Sequence, residues 1–370
     1  MKVSRVFLLV FTVFLFSCDT GSDESAGDNF DRGAMLANWA DNIIIPAYAN
    51  YEKELDALVS SVETFTADAS ESNLVSLRDK WQSAYLAWQW VSMFEIGRAE
   101  ALSMQSYSNL YPTNPTEIEA SITSGDYNLE LPSRRDQQGF PAIDYLINGL
   151  GSTDADIVAF YTNIQTGSSY KTYLSDIVNR LHSMTTEVVE DWNNGYRDTF
   201  VNNDGSSATG AVNKVANDYI YYFEKHLRAS KIGIPAGVFS SNSPDPTDVE
   251  AFYNSDFSKA LYEEALAASE AFFNGQHYGS ATKGESFATY LEYLNSIKEG
   301  EDLVKLINDQ FVTIETTGAN LLDDFSEQVE TNNTLMLNTY DELQKNVIYF
   351  KLDMLQALNI KVDYVDADGD

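Results

Sequence analysis

The stretch Tyr340-Asp341-Glu342-Leu343-Gln344-Lys345-Asn346-Val347-Ile348-Tyr349-Phe350-Lys351-Leu352-Asp353-Met354-Leu355-Gln356-Ala357-Leu358 carries apolar or aromatic side chains at 340, 343, 347, 350, 354 and 358. An α-helix turns once in 3.6 residues, so steps of three and four stack those side chains on one face. A stripe of that length has to be buried against neighbours. The same rhythm runs through Leu55, Leu58, Val62 and Phe65, and through Leu74, Leu77, Trp81, Ala84, Trp88 and Val91. It returns in Tyr170, Leu174, Ile177, Leu181, Met184 and Val188. No stretch sustains the alternation of strands joined by hairpin turns. Long amphipathic helices pack best as bundles, so the expected fold is all-α, two packed helical bundles.

Breaks in the pattern divide the chain. Tyr111-Pro112-Thr113-Asn114-Pro115 ends one helix, and Thr116 with Glu119 reads as a capping box for the next. Asn202–Ser207 and Ser240–Pro246 read as loops. The expected organisation is a first bundle over 31–206 and a second bundle, ending in an acidic tail, over 207–370.

The first thirty residues have a different character. Lys2 and Arg5 precede an apolar run from Val6 to Phe16, and Ser17-Cys18 follows. A basic start, a short apolar core and a small residue at the cut are the parts of a secretory signal. Eleven helical residues span about 16 Å, against ~30 Å for a bilayer core. The reading is a removable signal peptide over 1–17. Cys18 is the only cysteine in the chain, so no internal disulfide can form. Leu15-Phe16-Ser17-Cys18 resembles the bacterial lipobox, in which the thiol is acylated and partners the lipid bilayer. Residues 18–30 then form the lipidated cysteine and a flexible Gly/Ser/Asp-rich tether. The expected location is outside the cytoplasm, anchored to the cell envelope at the periplasmic face or the cell surface, with the outer membrane the favoured site.

Composition narrows the function. The formal net charge is −33, and removal of Lys2 and Arg5 with the signal makes it more negative still. Such a body is repelled by phosphate backbones, which argues against nucleic acid and against anionic lipid surfaces as partners. It can attract cations.

Three segments together resemble the imelysin family. They are Gln138-Gly139-Phe140-Pro141-Ala142-Ile143-Asp144-Tyr145-Leu146-Ile147, Lys231-Ile232-Gly233-Ile234-Pro235-Ala236-Gly237, and the run from Tyr340 to Asp370. The resemblance implies exported proteins of two packed helical bundles, often linked to iron or haem uptake, with one founding member described as a metallopeptidase. The first segment stands where the family has Gly-x-His-x-x-Glu. Here Pro141 replaces the histidine and Asp144 the glutamate. Proline offers no lone pair to a metal, whereas imidazole is the usual ligand for zinc, copper and iron. Pro141 reads instead as the first residue of a helix and Asp144 as a first-turn acid.

The candidate ligand or cation-binding residues are therefore Asp144, Glu95, Gly139, Pro141 and Arg135, and none is assigned as catalytic. Glu95, read as lying in a helix after Trp88 and Trp90, is the acid expected beside Asp144, where a divalent or iron cation would meet an oxygen-lined site. Arg134 and Arg135 are expected to pair with acids. His182, His226 and His277 have no His or Cys partner at metal spacing. Asp366-Ala367-Asp368-Gly369-Asp370 has calcium-loop composition, but its glycine is misplaced and no distal glutamate follows. The leading expectation is a non-catalytic envelope lipoprotein that binds a small ligand or metal and works with an envelope transport partner. The alternatives are a metal-dependent peptidase and a surface glycan-binding lipoprotein.

Overall fold

Each of the four apolar stripes lies on the buried face of a helix. Leu55, Leu58, Val62 and Phe65 turn inward on Ile45–Ala67, and Leu74, Leu77, Trp81, Ala84 and Trp88 on Glu71–Gln89. Tyr170 to Val188 does the same on Gly167–Asp191. Of the stripe that opens at Tyr340, that tyrosine is half-buried, and Leu343, Val347, Phe350, Met354 and Leu358 are buried. Helix starts are set by side-chain caps. Ser70 accepts from the Asn73 N–H, and Asp324 accepts from Ser326 and Glu327.

The computed structural model describes residues 28–364, and from Asp31 onward the chain is one compact unit. The signal segment, Cys18 and the Asp366–Asp370 tail lie outside the described residues. Ile45–Ala67 packs between Glu71–Gln89 and Gly167–Asp191 to form one group of helices. Phe325–Ile348 packs against Leu303–Gly318 and Tyr222–Gly233 to form another. Ser258–Phe273 touches Glu71–Gln89 on one side and the second group on the other, so the two bundles pack together. Strand structure among the described residues amounts to a two-residue antiparallel ladder, Ile297 with Asp302 and Lys298 with Glu301, and one isolated bridge. No described helix is long and apolar enough to cross a membrane.

Several helices contain π turns, at Trp39–Ile44, Tyr145–Gly149, Tyr222–Gly233 and Tyr349–Met354. Such turns concentrate at functional positions in helical proteins, and the second and third border the site described below.

Local expectations needed correction. The helix after the Tyr111–Pro115 break starts at Pro115 and is capped by Asn114, whose side chain accepts from Glu117 N–H at 3.3 Å. Thr116 and Glu119 form no capping box, because proline's fixed φ already starts the helix one residue earlier. Glu119 instead accepts from the hydroxyls of Tyr145 and Tyr170. The helix carrying Trp88 ends at Gln89, so Glu95 lies in the irregular segment after it. Pro141 is the third residue of Gly139–Asp144, not the first. It still falls within the first turn, where an N–H has no intrahelical acceptor.

Candidate functional site

Gly139-Phe140-Pro141-Ala142-Ile143-Asp144 is buried at every residue. Gly139 holds φ at +73°, and a Cβ there would stand 2.2 Å from the Ser108 carbonyl oxygen. Only glycine tolerates both the dihedral and the approach. Phe140 enters an aromatic cluster, stacked on Tyr85 with centroids 4.2 Å apart, while the Trp81 indole donates to the Phe140 carbonyl at 3.2 Å. Burying that ring contributes about 2–3 kcal/mol to holding the segment in place.

Asp144 does not lie at the start of its own helix, and the helix start that it faces is a distant one, Phe252–Phe257. Oδ1 accepts from the Asn148 side chain at 2.8 Å, and Oδ2 accepts from the Tyr253 backbone N–H at 2.9 Å. Arg78 is close by. It pairs with Asp154 and donates to the Ile147 carbonyl, which clamps the end of the π turn. Burial raises the Asp144 carboxyl from its ordinary 3.8 to about 7, against the opposing pull of Asn148, the 253–254 backbone and Arg78. Asp144 therefore ties the motif helix to a segment more than one hundred residues away. A cavity of about 250 Å³ opens beside it, walled by Tyr111, Pro141, Val249, Phe252 and Tyr253.

Tyr111 also lines a second, smaller chamber of about 110 Å³, whose polar side chains include Gln89, Gln105, Asn109, Tyr222, His226 and Lys231. Lys231 and Glu250 form a buried ion pair at its base. Asn109 donates to Glu250 at 2.7 Å and accepts from the Tyr85 hydroxyl at 2.5 Å. Burial lowers the Lys231 pKa, and Glu250 opposes that shift. His226 is pushed down to about 4, first by burial and then by Lys231, so the ring is neutral near pH 7. Its Nδ1 is 3.3 Å from Gln105 Nε2. Gln105 Oε1 and Trp88 Nε1 are buried without a protein partner. These are groups that the polar atoms of a small ligand can satisfy.

The structure brings together Gly139, Pro141 and Asp144 but not Glu95. The Glu95 carboxylate accepts from Gln105 N–H at 3.3 Å, and Glu100 and Arg135 are the charges that act on it. The expected Glu95–Asp144 oxygen site does not form, because Glu95 sits among Gln105, Glu100 and Arg135 whereas Asp144 faces Asn148 and the Tyr253 backbone. Arg134 pairs with Glu117 at 3.6 Å, as an acid-rich chain suggests, whereas Arg135 stacks over Tyr107. His182 meets Asp56 at 2.7 Å, far in sequence from the other two histidines. Among the described residues no three His, Cys, Asp or Glu side chains converge as a metal site. Sequence reasoning missed Asn109, Tyr111 and Glu250. Lys231 was legible as part of a distinctive segment, but nothing local signalled its partner.

The sequence model of the imelysin family, a family described as peptidase M75, matches residues 44–346. Two solved structures share the fold. An imelysin-like protein from Psychrobacter arcticum has a TM-score of 0.68 at 18% identity, over 90% of this chain and 97% of that one. A Parabacteroides distasonis protein, described as an iron-regulated protein A precursor, has a TM-score of 0.69 at 17% identity with the same coverage. No curated protein sequence matches significantly.

Proposed function

The chain belongs to the imelysin family, and we propose that within it this protein binds a ligand without hydrolysing peptides, held at the cell envelope by an acylated Cys18 and serving uptake of iron or another ligand. The observation that carries this reading is how Asp144 is used. A catalytic zinc takes three protein ligands and keeps a position open for water. Here Pro141 supplies no donor, and both Asp144 oxygens already accept N–H hydrogen bonds. The residues present do not fit a catalytic metal. They do enclose two small cavities that meet at Tyr111, one with buried polar groups left unpaired. Iron is the first ligand to test because one structural neighbour is described as iron-regulated.

The test is metal analysis of the purified mature protein with and without added iron, alongside incubation with a denatured polypeptide. No chelator-sensitive cleavage is expected. Pro141→His with Asp144→Glu should raise affinity for transition metals by restoring an imidazole. Cleavage by the wild type that a chelator stops and Asp144→Ala abolishes would overturn the reading.

A further inference from the structure

A cleft of about 880 Å³ opens beside Gly167–Asp191, walled by the Arg98–Leu102 turn and the segment from Tyr127 to Arg135. That volume lies in the range of ligand sites. Tyr107 forms part of the wall. It is buried, and its hydroxyl donates to the Glu130 carbonyl at 2.8 Å. The guanidinium carbons of Arg135 and Arg180 lie over this one ring, 4.9 and 5.0 Å from its centroid.

The chain has 56 acids against 23 lysines and arginines, so a carboxylate partner is the default for any arginine. Arg78, Arg98, Arg134, Arg197 and Arg228 each have one. Arg135 and Arg180 have none within ion-pair distance among the described contacts. Arg180 Nε donates to Gln138 at 2.8 Å, and Arg135 Nε is buried with no acceptor. The other charges around the cleft are accounted for. Glu187 is engaged by Arg98, Asp176 accepts from the Tyr127 hydroxyl at 2.6 Å, and Glu130 is exposed. Glu95 lies near Arg135 without pairing to it.

We propose that this cleft binds a small anionic ligand through a carboxylate or phosphate group held by Arg135 and Arg180. The tyrosine face offsets the repulsion between two neighbouring cations, and although Arg180 Nε is engaged by Gln138, the terminal Nη ends of both guanidinium forks have no protein acceptor among the described contacts. Those forks match planar carboxylates and phosphates in a bidentate geometry. The strongly negative body does not forbid an anion here, because exposed charges are screened beyond about 8 Å at physiological salt and the nearest groups decide. The cleft shares no lining residue with the cavity beside Asp144, so the two sites can be tested independently.

The experiment is titration calorimetry of the mature protein with citrate and with inorganic phosphate at fixed ionic strength. Saturable binding of at least one is expected. Citrate alone would indicate an organic carboxylate, and binding of inorganic phosphate would indicate a phosphate group. Arg135→Gln and Arg180→Gln should each weaken binding about tenfold or more, the loss of one charged hydrogen bond. Arg180→Lys, which keeps the charge and loses the fork, should weaken it less. Arg197→Gln removes the same charge from a guanidinium engaged by Asp41 and Asp198 and should leave binding unchanged. If Arg135→Gln does not fold, Arg180→Gln, at a half-buried position, carries the comparison. No saturable heat with either probe, or an equal loss in Arg197→Gln, overturns the proposal.

Discussion

Replacing Asp144 with asparagine should make the protein more stable at pH 8 than the wild type, relative to the same comparison at pH 5. The Asp144 carboxyl is raised from 3.8 to about 7 in the folded chain, so the folded state holds the proton more tightly than the unfolded state does. Stability from the protonated form is complete below the unfolded value and is lost as pH rises through the folded one. Between pH 5 and 8 the wild type loses about 2–3 kcal/mol, at about 1.4 kcal/mol for each pH interval of one over which the folded carboxyl keeps its proton while the unfolded one is ionised. Asparagine has no proton to lose. Its carbonyl can accept from the Tyr253 N–H, and Asn148 can rotate its amide to accept from the new NH₂. The assay is urea unfolding of both proteins at pH 5 and pH 8, away from the sequence pI of about 4.2. Other carboxylates titrate equally in both and cancel in the double difference. If Asp144→Asn costs the same stability at both pH values, the carboxylate is not penalised by burial and the reasoning fails.

Gly139→Ala should destabilise by about 3 kcal/mol or prevent folding, because it combines a left-handed dihedral with a backbone clash; thermal unfolding followed by circular dichroism reads this directly. Lys231→Met and Glu250→Gln should each cost about 3–5 kcal/mol by leaving a buried charge unpaired, while the double variant should cost clearly less than their sum. A double-mutant cycle that shows strict additivity would mean that the pair does not interact. Cys18→Ala should abolish palmitate labelling and release the protein from the membrane fraction, and equal retention would rule out the lipid anchor.

Helix positions and the apolar stripes were legible in the sequence because helical periodicity is local, and the family was legible through its resemblance in three contiguous segments. A residue's face follows from its neighbours three and four away, and the inward-facing residues expected from that spacing are buried almost throughout. The motif residues Gly139, Pro141 and Asp144 were legible for the same reason, as a contiguous segment. What each side chain meets was not. Arg134 and Arg135 are adjacent in sequence, yet one finds Glu117 and the other a tyrosine ring. Asp144 reads as a first-turn acid until the chain brings the Tyr253 N–H, 109 residues away, onto its oxygen. Glu250 has no local signature, and its meaning comes from Lys231 and Asn109 arriving at the same buried point. Local spacing decides which face of a helix turns inward, but the chemistry of a site depends on which polar groups share the same dry volume, and only tertiary packing decides that.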